Sequence, residues 1–154
     1  MKISSRGHYA LRAMVDLAIH GKERPRTLAN VSLIQDIPQL YLEQLMLKLR
    51  RAGLVQSIRG PHGGFLLAKK PSEIAVGDIL KAVDESIYPG ECVETLDSQL
   101  GCQKAGGCAT HLFYEKLAKQ IDETVNSVSL EELCSEAEEL QNGKALRHNY
   151  NFEI

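Results

Sequence analysis

The chain has 154 residues, 44% hydrophobic and 25% charged, which suits one or two small domains with a genuine core. Its apolar runs are too short to span a bilayer, and neither a secretory h-region nor a lipidation motif follows Met1 and Lys2. A soluble cytoplasmic protein is therefore expected, and a membrane or secreted one excluded. The net charge of −2 conceals an asymmetry: residues 1–80 carry 12 Lys and Arg against 6 Asp and Glu, residues 81–154 carry 6 against 14, so nucleic-acid contact is expected through the first half only. Charge alone also fits two ordinary solvated faces, and the order of elements has to decide.

Ser4 and Ser5 are caps for a first helix reaching His20, with Gly21 as its C-cap. Tyr9, Ala10, Ala13, Met14 and Leu17 recur at helical spacing and define its buried stripe. After a basic turn at Lys22–Arg26, Thr27 caps a second helix, LANVSLIQ. Asp36–Ile37–Pro38 breaks it, and Pro38 suits the first turn of a third helix, PQLYLEQLMLKLRRAG, which Gly53 ends. Leu42, Leu45, Met46 and Leu49 share its inward face, while Leu40, Glu43, Gln44, Lys48 and Arg51 lie outward. Two short helices joined by a tight break, the second polar and basic outside, describe a helix-turn-helix.

LVQSI and FLLA then read as two strands around the turn Arg59–Gly60–Pro61–His62–Gly63–Gly64, a hairpin with a basic, Gly-rich tip. Helix, turn, helix, hairpin is the winged helix-turn-helix order. A fourth helix is expected over Ala75–Glu85. Past the cysteine segment, Tyr114, Leu117, Ile121, Val125 and Val128 form an apolar stripe on a long helix ending near Val128. Little chain remains to cover that stripe, so a second copy is the expected partner. Ser129 and Glu132 form a capping box opening a last helix, SLEELCSEAEEL, in which Cys134 reads as a small core hydrophobe. The tail from Gln141 is polar.

Between head and tail lies Glu91–His111, ECVETLDSQLGCQKAGGCATH. Cys92, Cys102, Cys108 and His111 follow the spacing C-x9-C-x5-C-x2-H. Gly90, Gly101, Gly106 and Gly107 let such a segment fold tightly. A disulfide with a spare thiol is the competing reading, but disulfide frameworks belong to secreted chains. Three thiolates and an imidazole suit one metal centre, and the set fits tetrahedral zinc as well as an iron–sulfur cluster.

The phrases YLEQL, LRRAGLVQSIRGPHGGFLLA and IAVGDILKAVDES, with the cysteine segment after them, closely resemble the IscR-type transcriptional regulators, iron–sulfur-cluster-sensing winged-helix proteins. The likeness runs from KISSRGHYALRAM to SLEEL. It implies a mainly α fold with a small β-hairpin, in which a winged helix-turn-helix domain is joined to a long C-terminal dimerisation helix. The corresponding units are a DNA-binding domain at 1–84, a cluster loop at 85–111, the dimerisation helix and a short last helix at 112–140, and a polar tail at 141–154. The resemblance implies a homodimer on a palindromic operator in double-stranded DNA, with a 2Fe–2S cluster held by Cys92, Cys102, Cys108 and His111. Through it the dimer would control genes of cluster assembly or of iron and sulfur metabolism, as repressor or activator. Nine residues separate the first two cysteines, a longer interval than is usual in that family, while C-x5-C-x2-H is intact. His8 is the alternative fourth ligand. A winged-helix regulator with a structural zinc, or a thiol-based sensor of redox, nitric oxide or cysteine supply, is the alternative function.

On DNA, the third helix is expected in the major groove. Glu43 can accept from a cytosine amino group, Gln44 can pair with adenine or phosphate, and Leu40 can touch a thymine methyl. The related regulators place a small polar residue at Leu40, so a different base preference is expected. Lys48 and Arg51 are read as phosphate contacts. Arg59, with Gly60, His62 and Gly63 around it, is read as the wing's groove contact. No nucleophile–base set, P-loop or dinucleotide fingerprint is present, so no enzyme is expected.

Overall fold

The computed structural model describes residues 3–22, 24–93 and 107–142. Ser4 starts α1 (Ser5–His20): its hydroxyl oxygen accepts the Arg6 amide at 3.2 Å, and the Gly21 amide closes the helix on the Leu17 carbonyl. Thr27 does the same for α2 (Leu28–Gln35), accepting the Asn30 amide at 3.2 Å. The break after α2 is a left-handed residue, Asp36 (φ 51°, ψ 50°). Among residues other than glycine, short polar side chains such as Asp tolerate that region best. Ile37 then turns inward and is buried, its amide bonded to the Ser32 carbonyl and its carbonyl accepting the Ser32 hydroxyl. Pro38 stands at the N-cap of α3 (Gln39–Arg51), one position before the helical turn expected for it.

The wing is an antiparallel pair, β1 (Val55–Ile58) and β2 (Gly64–Leu67), with Val55 opposite Leu67 and Ile58 opposite Gly64. Arg26 extends it: its amide donates to the Phe65 carbonyl and its carbonyl accepts the Phe65 amide. The basic turn before α2 is thus also the outer edge of the wing. A 3-10 turn (Pro71–Glu73) leads into α4 (Val76–Ala82), shorter than the Ala75–Glu85 expected, because Asp84 adopts positive φ and the chain turns away. A second 3-10 turn carries Cys92 (Glu91–Val93), followed by α5 (Ala109–Ser127) and α6 (Leu130–Gln141).

The core gathers Ala10, Ala13, Met14 and Leu17 of α1, Leu42, Leu45, Met46 and Leu49 of α3, Ile37, and Ile74, Ile79 and Val83 around α4. The inward faces read from the periodicity of α1, α3 and α4 are the ones buried, except that Tyr9 is only half-buried, and each buried large aliphatic contributes roughly 1.5–3 kcal/mol. Leu130 of α6 joins this core, and Cys134 packs at its margin as a small hydrophobe. Burial, foremost, pushes the Cys134 thiol upward, away from the reactive thiolate. The junction of α5 and α6 is pinned to the head by a short bridge: Val76 donates to the Val128 carbonyl at 3.0 Å, Leu130 to that of Ile74 at 2.8 Å. No described helix is long and apolar enough to cross a membrane.

Candidate nucleic-acid interface and cysteine–histidine site

The outward face of α3 carries Leu40, Glu43, Gln44 and Arg51, all exposed as the periodicity requires. Leu47 shares that face and is exposed too, a member that the sequence reading missed. Lys48 is not a free cation: its Nζ lies 2.7 Å from the Asp84 carboxylate. The Lys48 hydrogen bond and charge hold the Asp84 carboxyl below the usual carboxylate range. At the wing tip Arg59, Gly60, Pro61 and His62 are exposed and Gly63 half-buried. A Cβ on Gly63 would stand 2.2 Å from the Ile58 carbonyl oxygen, so the tip closes only around glycine. His62 and Gly63 also face Arg24, Pro25 and Thr27 across a cleft.

Two buried carboxylates hold this face in place, and neither was singled out from the sequence. Asp16 is 1% exposed; it accepts from Arg26 Nε at 3.2 Å and Gln35 Nε2 at 3.3 Å, tying the wing edge and the end of α2 to α1. Arg12 reinforces the α2 end, donating to the Gln35 side-chain oxygen and backbone carbonyl. A carboxylate flanking an apolar stripe is the signal that would have found Asp16. Glu85 accepts from the Ser4 amide at 2.7 Å and hydroxyl at 2.5 Å, with Arg6 Nε 3.5 Å away. Burial pushes the Glu85 carboxyl up, yet the two Ser4 bonds, the Arg6 charge and the Gly7 amide outweigh it and leave the group below its ordinary value. Arg6 also donates to the Asp84 carbonyl. Asp84–Glu85 therefore joins the start of α1, α3 and the segment leading to Cys92.

Of the four expected ligands, Cys92, Cys108 and His111 are described, and Cys102 lies outside the described residues. Cys92 and Cys108 are half-buried free thiols. Cys108 is the N-cap of α5 in an extended conformation, so a helical i, i+3 relation to His111 does not set its direction. Its Sγ lies 2.9 Å from Thr110 Oγ1, and that bond, helped by the His111 amide, lowers the thiol's pKa and favours thiolate. His111 is only 5% exposed and is the one buried residue among the described positions of α5. Its Nε2 faces Glu115 at 3.6 Å, while its Nδ1 is buried and has no hydrogen-bond partner among the described residues. A buried ring nitrogen left open suits a metal ligand whose other nitrogen is oriented by a carboxylate. The Cys92 turn packs against α5. Among the described residues no three His, Cys, Asp or Glu side chains converge as a complete metal set. His8 is exposed on α1, its ring 6.3 Å from that of Tyr9.

A helix-turn-helix braced by a β-hairpin wing is the architecture of a DNA-binding transcriptional regulator. Residues 3–136 match the Rrf2 family model, described as an iron-dependent transcriptional regulator. The chain belongs to that family and is of the IscR type. It is 44% identical to the HTH-type transcriptional regulator IscR of Pectobacterium carotovorum, over 91% of this chain and 83% of the relative. To the protein of the same name from Aliivibrio salmonicida it is 46% identical, over 90% and 80%. Among solved structures it is similar to T. potens IscR (TM-score 0.73, 38% identity, 92% of this chain and 91% of that one). CymR, the global cysteine regulator of B. subtilis, is also similar (TM-score 0.67, 34% identity, 88% and 98%). These relatives are named as regulators, in line with the non-enzymatic reading.

Proposed function

We propose that this regulator is a homodimer that senses iron–sulfur status at Cys92, Cys102, Cys108 and His111 and passes the state of that site to two DNA-reading heads on a palindromic operator. The observation that carries the reading is His111: the one buried residue among the described positions of α5, at the head of that helix, with Nε2 against Glu115 and Nδ1 without a partner among the described residues. A 2Fe–2S cluster, when bound, would supply redox-sensitive chemistry to which a neutral imidazole is a more labile partner than thiolate. The chain's own residues do the rest. Thr110 favours the Cys108 thiolate. The Cys92 turn lies against α5, and α5 is pinned to the head at Val128–Leu130. A change at the helix head is therefore felt by an element fixed to the winged domain, the minimum that coupling of two sites requires.

On DNA, α3 enters the major groove with Glu43, Gln44 and Leu40 toward base edges and Arg51 toward phosphate. Lys48 reaches phosphate only by leaving Asp84. Arg59, beside Gly60, His62 and Gly63, enters a groove at the wing. A thiol-based sensor is the second reading, favoured by the lowered Cys108 thiol pKa and by the likeness to a cysteine regulator. Anaerobic absorption spectra with iron and sulfide assays separate the two, comparing wild type with Cys92→Ala, Cys102→Ala, Cys108→Ala and His111→Ala. Coloured protein with stoichiometric iron and sulfide, lost in the variants, is expected. Colourless, iron-free protein would leave only thiol chemistry or plain DNA binding.

A further inference from the structure

We propose that Leu47 is a specificity-determining residue that reads the 5-methyl group of a thymine, working with Leu40 as an apolar pair on the recognition helix. The inference rests on the placement of α3 in the major groove proposed above. At 100° per residue Leu40, Gln44, Leu47 and Arg51 form one stripe, opposite the buried Leu42, Leu45, Met46 and Leu49. Leu40 is 77% exposed and Leu47 38%. Neither belongs to the core or to the side chains packed against it.

A single exposed leucine needs no explanation. Two of them, seven residues apart on the face that carries the DNA-facing polar groups, stand about 10 Å apart along the helix axis and so address different base pairs. The polar members of the stripe decide what covers it. An apolar protein surface over Leu47 would strip water from the Arg51 guanidinium and the Gln44 amide without replacing their hydrogen bonds. A major groove supplies all three needs on one surface: phosphate for Arg51, base edges for Gln44, and thymine methyls, the groove's apolar feature, for the leucines.

The test uses the full chain, purified anaerobically, and a duplex selected by it from a random-sequence pool. Each thymine of the selected duplex is then replaced by deoxyuridine, which keeps the base pair and removes only the methyl. Wild type is expected to lose about fourfold in affinity at a thymine in each half-site, the scale of burying one CH2-sized group. Leu47→Ala is expected to bind the thymine and uracil forms equally at that position, with an unchanged salt dependence, whereas Leu47→Met keeps the preference. If Leu47→Ala retains the full thymine preference at every position, Leu47 reads no methyl, and the winged-helix reading stands without it. Failure of wild type to select any duplex would overturn both, beginning with the DNA-reading proposal itself.

Discussion

Arg59 stands exposed where β1 gives way to the wing tip, one residue before Gly60, whose φ of 116° is open only to glycine. With no acidic partner among the described salt bridges, its charge is available to a groove. Arg59→Ala is expected to weaken specific binding by about 1–3 kcal/mol, read in a gel-shift titration against a selected duplex. Unchanged affinity would remove Arg59 from the interface. Glu85 sets a different expectation. Its folded pKa lies below the ordinary 4.5, so the unfolded chain binds the proton more readily. Its contribution to stability is therefore complete above 4.5 and is lost as pH falls through the lower folded value. Urea unfolding across an acid pH series should show this limb flattened in Glu85→Gln; an identical acid limb in the variant would rule Glu85 out as its source.

At the scale of elements, the helix-turn-helix and the wing are held from behind. Asp16 fastens the wing edge through Arg26 and the end of α2 through Gln35, so the wing and the helix-turn-helix both refer to α1. Gly64 makes the wing edge possible. Its φ is 154°, and a Cβ there would stand 2.4 Å from the Arg26 carbonyl oxygen. Gly64→Ala is expected to cost about 1–3 kcal/mol in backbone strain and to part Arg26 from β2. Hydrogen exchange should show faster Phe65 and Arg26 amides; retained protection would mean that the edge adapts. The helix-turn-helix and hairpin were legible because their signals are local: Thr27 as cap, Pro38 at a helix start, Gly53 at a helix end, strict inward spacing on α3. The Lys48–Asp84 pair was not legible, since its partners are 36 residues apart and only the turn after α4 brings them together.

For the whole molecule, α5 is the exposed question. Leu112 and Phe113 are exposed, and Tyr114, Leu117, Ile121 and Val125 are only half-covered by their own chain. An apolar stripe of this length against water favours a second copy. Leu117→Glu is expected to convert a dimer to a monomer in sedimentation while helical content is kept. A monomeric wild type, or a dimer that survives the substitution, would move the pairing surface elsewhere. The head–tail charge asymmetry belongs to this scale as well, since the basic half holds the wing and α3 and the acidic half holds α5 and α6.

Taken alone, the sequence determined the order of helices and wing, the inward faces and the candidate ligands, because caps, turn residues and periodicity act over a few neighbouring positions. The tertiary structure decided what depends on distant partners. It buried Asp16 and Glu85 among donors from other elements, took Lys48 out of the free cations and left Leu47 exposed on the outward face of α3. It also buried His111 with one ring nitrogen unpaired among the described residues, because burial and pairing are set by how elements pack and not by the residues beside them in the chain.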